Sequence, residues 1–166
     1  MKLSTIVMIG AITFLLPSCI LTGSSVEPSS IPTPNIYVET EIGKYLEVTA
    51  PNYWNSFKTN EAITLDIQNI SDKPITYDSD FDARIFVLTD DKWIEAKNKL
   101  IYENDQFILA SSEGSVLEKF ATIYVQPELL DYSVISYIRI YVAGNLIENE
   151  IETKKVASYI DIQLKP

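Results

Sequence analysis

The chain has 166 residues, a formal charge of −10 and 46% hydrophobic residues, too much apolar content for a disordered polypeptide. It contains no histidine and one cysteine, which rules out Ser-His-Asp triads, Cys-His pairs and His-based zinc sites. Its acidity, without any cluster of Lys or Arg, disfavours binding to nucleic acid and peripheral attraction to anionic lipid.

The first segment reads as an export signal. Met1-Lys2 gives a short positive start, residues 6–16 form an apolar stretch broken only by Gly10 and Thr13, and Ser18 is a small residue suited to a cleavage point. The stretch is shorter than the about 20 apolar residues that cross a bilayer. Leu16-Pro17-Ser18-Cys19 resembles the lipobox of bacterial lipoproteins, with Pro17 standing where Ala, Ser, Thr or Val is more usual. The resemblance implies a leader over residues 1–18, cleavage before Cys19, and a diacylglyceryl thioether on Cys19. It places the protein on the exported side of a bacterial cell membrane or outer membrane, held by covalent lipid. An ordinary secretory signal that leaves Cys19 as a free thiol, and an uncleaved anchor, are the competing readings. A lipid-bearing thiol forms no disulfide, so the exported fold has to stand on packing alone.

Residues 19–35 follow as a tether rich in Pro, Ser and Gly, a composition that buries no core. On the reach of such chains, the domain rides roughly 20–50 Å from the membrane. Residues 36–166 then form one domain with a period-two pattern. In residues 61–68, Ile63, Leu65 and Ile67 share one face, and Thr64, Asp66 and Gln68 the other, as in a half-buried strand. Residues 69–74 are a turn cluster, and residues 75–77 open the next strand. Residues 84–89 and 92–96 predict a hairpin turning at Asp90-Asp91. Residues 100–102 and 107–109 are short apolar runs, and residues 116–125 predict a strand, either continuous or broken near Phe120. Residues 128–132 suggest one helical turn. Residues 133–142 predict a strand stopped by Gly144-Asn145, and residues 156–164 predict the last strand, with Val156, Ser158, Ile160, Ile162 and Leu164 on one face.

Eight or nine short strands separated by turn signals predict an all-β antiparallel sandwich. Thr59-Asn60-Glu61-Ala62-Ile63-Thr64-Leu65 followed by Asn69-Ile70-Ser71-Asp72-Lys73-Pro74-Ile75 resembles an early strand pair of immunoglobulin-like domains in bacterial surface lipoproteins. It is also similar to the intracellular-proteinase-inhibitor type of that fold. The resemblance implies an immunoglobulin-like sandwich, without the disulfide of antibody domains.

Three constellations are candidate sites. Asp78, Asp80 and Asp82 alternate as the opening of a calcium loop does, but Ala83 and Thr89 stand where that loop needs Gly and Glu. The competing reading is a solvated turn whose acids block edge pairing. Tyr137, Arg139, Tyr141, Tyr159 and Asp161 fall on the outward face if the last two strands pair. Tyrosines around an Arg-Asp pair suit a protein or glycan partner, or else only cross-strand support. Residues 52–57 hold three aromatics, suited to a ligand loop or to plugging the sandwich end. No cofactor is implied.

The expected function is a non-catalytic binding or scaffolding role at the envelope, with another envelope protein or a glycan as partner. One alternative is an inhibitor of an exported enzyme, probing with residues 52–58. The other is a carboxylate-based hydrolase of envelope sugars, which needs two acids about 5–10 Å apart in a cleft.

Overall fold

The structure is a computed structural model and describes residues 28–32, 40–51, 62–102, 106–128 and 135–164. Among the described residues, nine strands form two antiparallel sheets: β1 (Leu46–Thr49), β2 (Ile63–Asn69), β3 (Ile75–Tyr77), β4 (Arg84–Thr89), β5 (Lys92–Ala96), β6 (Phe107–Leu109), β7 (Phe120–Val125), β8 (Ile135–Glu148) and β9 (Ile151–Gln163). The smaller sheet has the order β1-β2-β7, and the larger has β5-β4-β8-β3-β6, with β9 also paired to β8. Alternation drives this layering. In β2, Ile63, Leu65 and Ile67 are fully buried between less buried polar neighbours. They meet Ile75, Ile85, Ile138, Ile140, Val142 and Val156 of the other sheet in one core. The expected all-β sandwich is what the chain forms.

β3 and β4 lie along the same edge of β8, with Thr76 opposite Asn145 and Arg84 opposite Tyr141. They act as one strand interrupted by residues 78–83, which loop out while the Ala143 N–H donates to the Phe81 carbonyl at 2.9 Å. Gly144 is what permits the approach of β3. A Cβ there would sit 2.5 Å from the Thr76 carbonyl oxygen and 2.8 Å from Ile75.

Two hairpins use two-residue turns whose central residues both have positive φ, the geometry that matches strand twist. Asp90 (48°) and Asp91 (58°) join β4 to β5 where the sequence predicts. Asn149 (51°) and Glu150 (65°) join β8 to β9, which corrects the expected stop at Gly144-Asn145. The glycine there serves close packing, and the ladder runs on to Glu148. β7 begins at Phe120, so residues 116–119 are not strand.

Asn69 organises the turn that follows β2. Fully buried, it donates from Nδ2 to the carbonyls of Lys73 and Ala110, both at 2.8 Å, and accepts from the Ser71 N–H at 2.9 Å. A side chain bonded this way satisfies groups that the ladder leaves open.

Candidate functional site

β8 and β9 pair as the outward-face reading requires: Arg139 lies opposite Asp161, and Tyr141 opposite Tyr159. β4 and β5 extend these rows, with Phe86 beside Arg139 and Leu88 between Trp93 and Tyr137. Trp93 and Phe86 thus join a constellation read from β8 and β9 alone. The guanidinium of Arg139 lies over two rings, 4.7 Å from the Trp93 centroid and 4.3 Å from that of Tyr159. Its Nε and Nη2 donate to the two carboxylate oxygens of Asp161, each at 2.7 Å, a bidentate fork. Burial opposes the Arg139 charge, but Asp161 outweighs it and holds the guanidinium above its ordinary range. Tyr141 meets Phe86 edge-on at 5.9 Å and Tyr159 at 5.2 Å.

This face is not the open platform that alternation suggested. Arg139 is only 4% exposed and Tyr141 only 8%, while Tyr137, Tyr159 and Asp161 are half-buried. Phe86, Leu88, Trp93, Tyr141, Ala143 and Ala157 form a second apolar cluster on the side of the larger sheet away from the main core, and Ile31 packs against it. Alternation says which side of a sheet a residue takes, but not what lies above it.

The acidic loop is a tight turn held in part by its own side chains. Phe81 (54°) and Asp82 (45°) have positive φ, so residues 78–82 are not extended and their side chains do not alternate. The Asp80 carboxylate accepts the Asp82 N–H at 2.9 Å, and Asp82 pairs with Lys155. Phe81 turns inward, stacking 4.7 Å from Tyr77 and 5.5 Å from Phe107. Among the described residues no three acidic side chains gather into a group able to hold a metal ion, so the structure does not bring Asp78, Asp80 and Asp82 together.

A surface not singled out from the sequence lies between β6 and the start of β7, which are the edge strands of the two sheets on that side. A groove of about 500 Å³ runs between them, lined by Pro74, Phe107, Ile108, Leu117, Phe120 and Ala121 among others. Leu117 is 90% exposed and Ile108 63%, with Phe107 and Phe120 also exposed. The signal was present: residues 107–109 are apolar at three consecutive positions, which a sheet with one wet face does not explain.

Cys19, residues 52–58 and residues 129–132 lie outside the described residues. No family model, curated protein or solved structure matches the chain.

Proposed function

We propose that the protein is an envelope lipoprotein, anchored through Cys19, whose sandwich binds another exported protein and performs no chemistry itself. The anchor rests on the lipobox resemblance of residues 16–19. The observation that carries the binding role is the groove between β6 and β7. Several large apolar side chains standing in water around one concavity mark an interaction surface more often than they mark chance exposure. The β7 sequence Phe-Ala-Thr-Ile-Tyr-Val carries no charge and no proline, so it lacks the usual devices that keep an edge strand from pairing. The strand order, with β2 between β1 and β7 and β8 between β9 and the β3/β4 row, supports the immunoglobulin-like reading.

The test is lysine crosslinking of the full chain in its native membrane, followed by mass spectrometry. Lys73 and Lys119 adjoin the groove-lining Pro74 and Glu118 in sequence, so the expected crosslinks leave from them. They disappear in the Ile108→Asp/Leu117→Asp variant. A partner whose crosslinks survive that variant unchanged would count against the groove. For the anchor, the mass of the membrane-extracted chain should fit a polypeptide beginning at Cys19 plus acyl chains.

A further inference from the structure

The tether expected over residues 19–35 is not free throughout. Pro28 is buried, Pro28–Ser30 makes a 3-10 turn, and Ile31 packs on the second apolar cluster. The strands beneath explain why something must lie there. β4 is buried at all four central positions, Ile85, Phe86, Val87 and Leu88, and β8 is buried from Ile138 through Gly144. A strand that is apolar on both faces needs two covers. The smaller sheet covers Ile85, Val87, Ile138, Ile140 and Val142. Phe86, Leu88, Trp93 and Tyr141 point the other way and would otherwise stand as an aromatic patch in water.

We infer that the outer face of the larger sheet is a docking surface for a short proline-flanked apolar segment, and that its occupant is the chain's own residues 28–31. Those residues act as a strap. The segment reads Pro-Ser-Ser-Ile-Pro over residues 28–32. The ring of Pro28 fixes φ near the value a helical first turn needs, so the Pro28–Ser30 turn forms at little entropic cost and carries Ile31 onto the apolar cluster. Beside that cluster, the Arg139–Asp161 fork holds the guanidinium close to the rings of Trp93 and Tyr159.

The consequence for the anchor rests on the lipoprotein reading. With the strap seated, only residues 20–27 are left to span from Cys19 to the domain. At roughly 3.3–3.6 Å per extended residue they reach at most about 30 Å. The strap then sets a shorter distance from the membrane than an unattached tether would, with the outer face of the larger sheet carrying the attachment.

The strap is tested on the full chain in detergent, independently of lipid. With Trp54→Phe as background, Trp93 is the sole indole. Trp93 is 7% exposed, so acrylamide should quench it weakly. Ile31→Asp is expected to raise the quenching constant several-fold and shift the emission to the red, while the amides of β2 keep their slow exchange. Unchanged quenching in Ile31→Asp would overturn the strap. Should that variant unfold, the wild type still decides. Nuclear Overhauser contacts from the Ile31 methyls to protons of Phe86, Leu88, Trp93 or Tyr141 support the strap, and their absence refutes it.

Discussion

Replacing Asp161 with Asn removes the carboxylate from a guanidinium that has almost no water around it. The Arg139 side chain is 5% exposed and that of Asp161 21%, and the two make a bidentate fork at 2.7 Å. Breaking a buried pair by removing one partner costs about 3–5 kcal/mol, because a charge is left uncompensated. The residual exposure of Asp161 and the rings of Trp93 and Tyr159 close to the cation soften this, so the lower end, about 3 kcal/mol, is expected. In a domain of this size that lowers Tm by about 10 °C. The double variant Arg139→Met/Asp161→Leu removes both charges and leaves a thioether near the two rings, and should fall within about 1 kcal/mol of the wild type. Urea unfolding of the wild type and these two variants, read at constant m-value, gives the comparison. An Asp161→Asn cost under about 1 kcal/mol, or a double variant as unstable as the single one, would refute the buried-pair reasoning.

Gly144→Ala should destabilise by about 3 kcal/mol in the same assay, since the new methyl meets the Thr76 carbonyl oxygen of β3 and the buried side chains of Ile75 and Tyr77; a neutral result would contradict the close approach. Tyr77→Phe should be neutral or stabilising by about 1 kcal/mol. Its hydroxyl is buried with no hydrogen-bond partner, and burial pushes the phenol well above its ordinary range; a clear loss of stability would show a bond to that oxygen. The Glu41 carboxyl, held by Lys154 Nζ at 2.6 Å, Lys44 Nζ at 2.8 Å and the Tyr45 hydroxyl at 3.0 Å, titrates at about 2. Because the folded value lies below the unfolded one of about 4.3, its contribution is complete above that pH and is lost as pH falls toward 2. Carbon-13 titration of the side-chain carboxyl reads the midpoint directly, and a value near 4.3 would contradict the ion pairs.

Much of the sandwich was legible because alternation survives wherever one face is wet. Ile63, Leu65 and Ile67 were placed inward from their spacing, and Asp90-Asp91 marked its hairpin through residues that tolerate positive φ. Alternation failed where the chain is covered twice or leaves the extended form. Ile85 to Leu88 give no period when both faces are buried. Asp78, Asp80 and Asp82 looked convergent, yet left-handed residues at Phe81 and Asp82 spoil the alternation. Gly144 carries two meanings in sequence, a turn or a close approach, and only the position of β3 selects the second. The Asn149–Glu150 turn escaped notice because Glu is uncommon at positive φ. For the candidate site, the pairing of Arg139 with Asp161 was readable from strand register. Its burial was not, since Trp93 and Ile31 come from distant parts of the chain.

The proposed anchor is tested most directly by growing the native host with radiolabelled palmitate and comparing the wild type with Cys19→Ser. Label on the wild-type chain and none on the variant is the predicted result. An unlabelled wild type, or a variant that still takes up label, would contradict lipid attachment at Cys19.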